Sequence, residues 1–285
     1  MRTTVDCLPC FMSQAVRGAK SSVPGDAAVH EAVAKECAAF LATADLGRNP
    51  PDLAGDLFAR IARITGDPDP FLRDKQAANE RVMELMPGLA AMVAAERASG
   101  DPLRTALNLA IIGNFMDVGV ARIFDWERAL AEEAGLCLGE AFAAFRAELS
   151  PGARVLVLGD NAGEIGLDTL LVKELQGLGC DVAYAVRGGP VLNDATMDDA
   201  EFVGMTGICR VLESGAATPG TPVARISPEL RAGLDAAEVV LAKGQGNFES
   251  LYAERPDVYF AFKAKCNVVA EPLGVDVGTS VFMHA

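Results

Sequence analysis

The sequence of 285 residues has few of the residues on which common catalytic triads and nucleic-acid surfaces depend. Its two histidines are His30, in a helical pattern, and His284, near the end. Neither is expected to be the catalytic histidine of a Ser-His-Asp or Cys-His triad. Lysine and arginine total 25 against 39 aspartates and glutamates, which gives a net charge of −14. Because polyphosphates are bound by clustered basic residues, we expect no nucleic-acid partner. A small anionic substrate is compatible with this charge where a bound cation reverses the local field.

Long apolar runs are missing as well. No segment approaches the roughly 18 apolar residues of a membrane span, and the first twenty residues lack the apolar stretch of a signal peptide. We therefore expect a cytoplasmic protein that does not associate with a membrane. Its seven cysteines are then expected to be mostly reduced thiols.

The N-terminal C-x-x-C motif, Cys7 and Cys10, is the one close pair of cysteines. A four-ligand zinc site needs two more ligands, and the sequence has no second C-x-x-C and no paired histidines. We expect the pair to pack the first helix, with a bound metal or redox chemistry as the alternatives. Cys266 is the cysteine that could approach the pair in space.

The hydrophobic period changes near the middle of the chain. Over residues 10–147 apolar residues recur every three to four positions, which predicts helices, one of them ending at Pro87. The later runs RVLVLG, DVAYAV, GICRVLE, AEVVLAKG, VYFAF and CNVVAEP alternate with amphipathic stretches, which predicts a parallel sheet with crossover helices. We expect an α/β protein with a helical domain at 1–150. A three-layer α/β/α sandwich with a mainly parallel, Rossmann-like sheet is expected at 151–285.

The first predicted strand runs into the turn GDNAGE, which carries Asp160 and Asn161. Ligands of open parallel sheets bind beyond the carboxyl ends of the strands, where this turn lies. It is neither a dinucleotide fingerprint nor a P-loop, because its glycines are spaced G-x-x-x-G-x-x-G and no Gly-Lys-Ser/Thr follows. A divalent cation would explain a carboxylate at this position, since Asp and Asn oxygens suit Mg²⁺ or Mn²⁺. The alternative is that Asp160 caps the next helix.

A second turn of the same kind, in AVRGGPVLNDATMDDA, follows the next predicted strand. Arg187 stands at the strand's end, and Asn193 and Asp194 precede a helix. Two acid-amide pairs on one sheet edge can converge on one metal ion, although Asn193 and Asp194 could also be caps. Asp198 and Asp199 are expected to form a solvated first turn that the helix dipole favours.

The third turn, LAKGQGNFESL, carries Lys243 and Asn247 among glycines. Its backbone N–H groups and the ammonium could hold phosphate oxygens, so we expect Lys243 to clamp a phosphate. The alternative for Lys243 is a solvated lysine after a strand. In the helical half, Asn114 and Asp117 of IIGNFMDVG are polar residues in an apolar stretch, so they either line the pocket or have a solvated or capping role.

Together, GDNAGE, RGGPVLNDAT, KGQGNFESL and FKAKCNVVA resemble the damage-control phosphatases with an ARMT-like metal-binding domain. The segments CLPCFMSQA and IIGNFMDVG resemble the helical part of that family's bacterial and archaeal branch. The resemblance extends from Cys7 to Val277, and it rests on four motifs in order. It implies a metal-dependent phosphatase, a phosphoric monoester hydrolase, that acts on small phosphorylated metabolites.

The resemblance also implies a set of site residues. In the family the metal is held by an Asp-Asn pair and a later Asp, which fall on Asp160, Asn161 and Asp194. The cofactor is therefore predicted to be a divalent metal ion, with Mg, Mn, Co and Ni left open. We predict Asp160, Asp194 and Lys243 as catalytic residues, and Arg187, Asn193, Lys243, Gly244, Asn247 and Asn114 as substrate-binding residues. The family's Lys-Gly-x-x-Asn turn falls on Lys243, Gly244 and Asn247. Some branches follow this Asn with an aromatic and a basic residue, whereas this chain has Phe248 and Glu249.

The attacking group is left open by the sequence, because either water or one of the two aspartates could be the nucleophile. Two other classes of function compete with a phosphatase. A nucleotide- or adenosylmethionine-dependent transferase on a Rossmann-like sheet would favour a first turn free of acid. A non-catalytic protein would bind phosphorylated metabolites or a metal and release no phosphate.

Overall fold

Within residues 1–98, 100–113 and 139–285, which the computed structural model describes, the centre of the protein is a six-stranded β-sheet. Its strands in chain order are β1 (Arg154–Leu158), β2 (Asp181–Val186), β3 (Arg210–Glu213), β4 (Val239–Lys243), β5 (Val258–Lys263) and β6 (Ser280–His284). Across the sheet the order is β3-β2-β1-β4-β5-β6, with β6 antiparallel to β5 and the other pairs parallel. The chain leaves β1 toward one edge and returns at β4 to build the other. In open α/β sheets ligands bind at this reversal, beyond the carboxyl ends of the strands.

Helices surround the sheet. Those that precede it are α1 (Cys7–Ser22), α2 (Ala27–Ala42), α3 (Pro50–Thr65), α4 (Leu72–Ala95), α5 (Pro102–Ile112) and α6 (Gly139–Glu148). Those between and after the strands are α7 (Glu164–Gly177), α8 (Met197–Phe202), α9 (Pro228–Ala236), α10 (Gln245–Leu251) and α11 (Asn267–Leu273). None of the helices in the described ranges combines the length and apolarity needed to cross a membrane.

The two faces of the sheet bury two separate cores, because alternate residues of a strand point to opposite sides. Val155 and Val157 of β1 pack with α4 to α8 on one face. Leu156 and Leu158 pack on the other face with α9 to α11. Helices from both halves of the sequence thus share a core with the sheet. The predicted α/β/α sandwich with a mainly parallel sheet is confirmed.

A third core joins α1, α2 and α3 into a small bundle, in which Phe11, Leu57 and Phe71 are buried. Val191, in the turn after β2, is buried in the same core. This contact places the helical bundle over the carboxyl edge of the sheet. The bundle therefore covers the edge at which the three predicted turns meet.

Two local predictions were wrong. CNVVAEP, predicted as a strand, forms α11, and the last strand of the sheet is the antiparallel β6. A short apolar run with two valines does not distinguish a strand from a short helix by periodicity. Pro87, predicted to end a helix, lies inside the 24-residue helix α4.

Gly159, between β1 and Asp160, provides a test of the packing at this edge. A Cβ atom there would lie 2.4 Å from the hydroxyl oxygen of Tyr184, a fully buried side chain. Because such an overlap has to be relieved by shifting the buried ring of Tyr184, we expect Gly159→Ala to destabilise the protein by about 1–3 kcal/mol in urea unfolding.

Gly177 is the matched control, since a Cβ there meets no atom within 4 Å and the residue is helical. Gly177→Ala is expected to leave the free energy of unfolding unchanged or to raise it by up to about 1 kcal/mol. Equal effects of the two substitutions would contradict the packing argument.

Candidate metal centre and cavity

The turns after β1 and β2 are joined directly at the carboxyl edge of the sheet. Asn161 and Asp194 form an isolated antiparallel β-bridge. The Ala162 N–H donates to the carbonyl of Asn193 (2.9 Å), and the Ala195 N–H donates to the carbonyl of Asp160 (2.8 Å). The structure thus brings together the three residues predicted as metal ligands.

Capping does not account for the two aspartates. The residue before α7 is Gly163, with no side-chain cap, and α8 is capped by Thr196, which forms a capping box with Asp199. Both Asp160 and Asp194 are buried. Their carboxylates therefore serve something other than a helix N-terminus.

The amide of Asn161 has a fixed orientation. Its Nδ2 donates to Oδ2 of Asp160 (2.8 Å) and to Oε1 of Glu164 (2.6 Å), so both amide hydrogens are used. The carbonyl oxygen is the atom of this side chain that suits a metal ion. Together with the carboxylates of Asp160 and Asp194 it forms a donor set of hard oxygens, which fits a divalent cation such as Mg²⁺ or Mn²⁺.

Arg187, which follows β2, contacts both aspartates of this donor set. Its Nε donates to Oδ2 of Asp194 (2.6 Å), and its Nη2 lies 3.7 Å from Oδ1 of Asp160. Its Nη1 donates to Thr221 and to Asn247, both at 3.2 Å. With 2 % of its surface exposed, Arg187 is a buried structural cation between the two aspartates.

Lys243, at the end of β4, is also buried beneath the turns. Its Nζ lies 2.8 Å from Oδ1 of Asp168 and 3.5 Å from Oε2 of Glu164. Tyr184 donates its hydroxyl to the other oxygen of Asp168 (2.7 Å). Burial lowers the pKa of Lys243, but the carboxylates of Asp168 and Glu164 outweigh it and raise the pKa above its ordinary value. The ammonium is therefore fixed among carboxylates.

The remainder of the third turn contacts the first turn. Nδ2 of Asn247 donates to the carbonyls of Lys243 (2.7 Å) and Gly159 (3.0 Å). Gly244 has φ +82°, and a Cβ there would lie 2.1 Å from the carboxyl carbon of Asp160. Only glycine allows the turn after β4 to pass this close to Asp160.

A cavity of about 400 Å³ opens at this edge, between the turns and the helical bundle. Four predicted site residues line it: Asp160, Asn161, Asn193 and Asp194. The other predicted site residues that the structure describes do not line the cavity but lie behind its wall: Arg187, Lys243, Gly244 and Asn247. Direct contact of Lys243 with a phosphate is therefore not supported by its position. Asn114 and Asp117 lie outside the described residues.

Several residues of the cavity were not singled out as site residues by sequence reasoning. Glu164 lines it beside the donor set, and Lys265 brings an exposed cation to it. Both belong to motifs of the family resemblance, GDNAGE and FKAKCNVVA, which were the available signal. Arg17 of α1 lies at the wall as well, but a helical pattern gave no reason to select it.

The three cysteines singled out from the sequence line the same cavity. Cys7 and Cys10 lie in the first turn of α1, and Cys266 precedes α11. All three are free thiols. Cys7 packs against the core of the helical bundle as predicted, whereas Cys10 is exposed. Cys266 lines the same cavity as Cys7 and Cys10.

The donor set has an excess of negative charge. Burial raises the pKa of Asp194 to about 7, with Arg187 opposing the shift and Asp160 adding to it. Burial likewise raises the pKa of Glu164 to about 8, with Lys243 opposing and Asp160 adding. In the described ranges no three His, Cys, Asp or Glu side chains are grouped as metal ligands. The candidate donor set consists of two carboxylates and one amide oxygen. Burial is the largest cause of both shifts, and a divalent cation bound beside these carboxylates would favour their ionised form.

Comparison with known proteins connects this geometry to a family. Residues 3–281 match the family model of the damage-control phosphatase ARMT1-like domain. The chain is 34 % identical over 238 residues to a damage-control phosphatase of Archaeoglobus fulgidus, covering 80 % of each chain. It is 29 % identical over 293 residues to a damage-control phosphatase of Pyrococcus horikoshii, covering 100 % of this chain and 98 % of the relative. A crystal structure of a DUF89 family protein from Pyrococcus horikoshii superimposes with a TM-score of 0.86 at 27 % identity, covering 100 % and 99 % of the two chains.

The buried position of Lys243 can be tested through stability. Lys243→Met leaves the carboxylates of Asp168 and Glu164 buried without their cation, so we expect a loss of about 3–5 kcal/mol in the free energy of unfolding. Asp168→Asn added to Lys243→Met should cost less than the sum of the two single substitutions, because they share one interaction. Urea unfolding of both single variants and the double variant measures this coupling.

Lys35 is the control, since its ion pair with Glu31 is exposed on α2. Lys35→Met is expected to change the free energy of unfolding little. Additive effects at Lys243 and Asp168 would show that the two side chains are not coupled.

Proposed function

The chain belongs to the ARMT1-like damage-control phosphatase family, and on that premise we propose that it is a metal-dependent phosphatase that hydrolyses phosphate monoesters of small metabolites. The observation that carries the proposal is the convergence of Asp160, Asn161 and Asp194 on one wall of the cavity. This donor set stands where α/β sheets bind their ligands.

In this proposal Asp160, Asn161 and Asp194 hold the divalent cation. Bound there, the ion would polarise a phosphoryl oxygen and offset the charge of the phosphate. We take water as the attacking group, because each carboxylate already has one oxygen engaged by a neighbour: Oδ2 of Asp160 accepts from Asn161 and Oδ2 of Asp194 accepts from Arg187. The acid in the first turn disfavours a nucleotide- or adenosylmethionine-dependent transferase, because a carboxylate at that position repels a phosphate or carboxylate ligand.

The buried cations keep the ligands in place. Arg187 fixes Asp194 and neutralises part of the charge on Asp160. Lys243 holds Glu164, which in turn orients the Asn161 amide. Preorganised ligands of this kind require no rearrangement when the phosphate arrives, which is how electrostatic catalysis gains its advantage.

Lys265 is the cation that we assign to the phosphate. It lines the cavity, is exposed to it, and lies close enough to lower the pKa of Asp194 by its charge. The role predicted for Lys243 from the sequence thus passes in this proposal to Lys265, while Lys243 becomes a supporting residue.

The size and lining of the cavity favour a small, polar substrate. A volume of about 400 Å³ is near the lower end of the range for small-molecule sites. Away from the donor set its wall carries Gln14, Gln245 and Glu249. Amide and carboxyl groups can bind hydroxyl groups, so sugar phosphates and related damaged metabolites are the proposed substrates.

Phosphate release tests the proposal. Chelator-stripped protein should release no phosphate from sugar phosphates, nucleotides or a chromogenic aryl phosphate, and activity should return when Mg²⁺, Mn²⁺, Co²⁺ or Ni²⁺ is added. Asp160→Asn and Asp194→Asn should each lower kcat/KM by at least about 100-fold, the scale of losing one preorganised electrostatic group.

Asp181→Asn is the matched control, because Asp181 is exposed at the opposite end of β2 and should leave activity unchanged. Full metal-dependent activity in the Asp160 or Asp194 variant would refute the assigned ligands. Absence of phosphate release from folded wild-type protein with every metal would favour the non-catalytic binding protein instead.

A further inference from the structure

We propose that Asn79 of α4, together with Asp199 of α8, is a positioning residue that fixes the two metal-binding turns relative to each other. Neither residue lines the cavity in the described part of the chain. The inference rests on the metal site of the proposed function. It assigns the helical half of the protein a part in metal binding.

The side chain of Asn79 bonds to both turns at once. Its Oδ1 accepts a hydrogen bond from the N–H of Gly163 (2.7 Å), two residues after Asn161. Its Nδ2 donates to Oδ1 of Asp199 (2.7 Å), in the helix that follows Asp194. One amide on α4 therefore connects the segment carrying Asp160 and Asn161 with the segment carrying Asp194.

Asp199 transmits this contact to the second turn. Its Oδ2 accepts hydrogen bonds from the N–H and the hydroxyl of Thr196, both at 2.8 Å. Thr196 lies two residues after Asp194. Asp199 is buried, with 5 % of its surface exposed, so the solvated position predicted from the sequence was wrong for this residue and holds for its exposed neighbour Asp198.

A buried cation completes the contact. Nζ of Lys75, one turn before Asn79 on α4, lies 3.7 Å from Oδ2 of Asp199 and 2.7 Å from Oδ2 of Asp69. Lys75 and Asn79 each have 2 % of their surface exposed. Asp199 is thus held by a charge and by hydrogen bonds on both of its oxygens, and its position is well defined.

An amide is needed at position 79 for a specific reason. Gly163 precedes α7, where backbone N–H groups have no partner within the helix. Gly163 also has φ +80°, and a Cβ there would lie 3.1 Å from the Cβ of Ala78, so α4 packs directly on this turn. Packing alone would be satisfied by an apolar residue, whereas pairing the Gly163 N–H and Asp199 together requires an acceptor and a donor on one short side chain.

Metal affinity provides the test. We would titrate chelator-stripped protein with Mn²⁺ by calorimetry for the wild type, Asn79→Ala, Asp199→Asn and Asp198→Asn. Outer residues that orient metal ligands change affinity by about 10- to 100-fold, so we expect Asn79→Ala to weaken Mn²⁺ binding about tenfold. Asp199→Asn should weaken it in the same direction.

Asp198→Asn is the matched control. It removes the same charge from the neighbouring residue, but Asp198 is exposed and outside the contact. Its Kd for Mn²⁺ should equal that of the wild type. In activity assays the Mn²⁺ concentration for half-maximal rate should rise in Asn79→Ala by the same factor as Kd, while saturating Mn²⁺ restores kcat.

The possible outcomes separate this inference from the proposed function. Wild-type protein that binds none of Mg²⁺, Mn²⁺, Co²⁺ and Ni²⁺ would refute the metal site and the inference with it. Wild-type binding with unchanged Kd in Asn79→Ala and Asp199→Asn would overturn the inference alone, as would equal losses in Asp198→Asn and Asp199→Asn. If Asn79→Ala does not fold, the comparison of the two aspartate variants decides.

Discussion

The candidate site depends on the close approach of buried carboxylates at one edge of the sheet. The four are Asp160, Glu164, Asp168 and Asp194, each with 7 % or less of its surface exposed. Isolated ionised carboxylates are very costly to bury, so each has to be paired or protonated, or has to coordinate a cation. Arg187 and Lys243 supply two buried positive charges at the ends of β2 and β4, the two strands that flank β1. Two cations cannot neutralise all four carboxylates when these are ionised, and a divalent ion would offset the remaining charge.

The position of this cluster follows from the order of the strands. β1 and β4 are neighbours, although the chain builds one side of the sheet before returning to the other. The helices that follow these strands, α7 and α10, therefore pack on opposite faces of the sheet and leave a crevice at its carboxyl edge. Helix α1 lines the cavity and α4 packs on Gly163, so the helical half is part of the site and not only an appended bundle.

Sequence reasoning selected residues that line one cavity because they are concentrated in short turns after strands. The acids of GDNAGE and LNDAT follow runs with a clear strand pattern, and their convergence follows from parallel strands sharing one edge. What could not be read was the direction in which a side chain points. Lys243 ends a strand whose residues are all buried, and it turns beneath the loop toward Asp168, while Lys265 in the next turn faces the cavity.

Long-range pairings were similarly beyond the reach of local patterns. Asp198 and Asp199 are chemically identical neighbours at the start of a short helix, and only the packing of α4 decides which one is buried. The run CNVVAEP was misassigned for a related reason, since seven residues contain too few periods to separate a strand from a helix. The elements that were predicted correctly either extend over several helical turns or belong to the regular alternation of strands and helices.

The excess charge also couples the metal centre to the stability of the fold. A carboxyl group whose pKa is raised in the folded protein binds protons more tightly there than in the unfolded chain. Asp194, with a pKa of about 7, and Glu164, with a pKa of about 8, therefore make the metal-free fold progressively less stable as the pH rises from their ordinary values near 4 toward 7 to 8. A divalent cation bound by the folded state acts in the opposite direction, because it favours the ionised form of its ligands. The buried carboxylates that destabilise the metal-free fold at neutral pH are thus the groups whose ionised form a bound cation would stabilise.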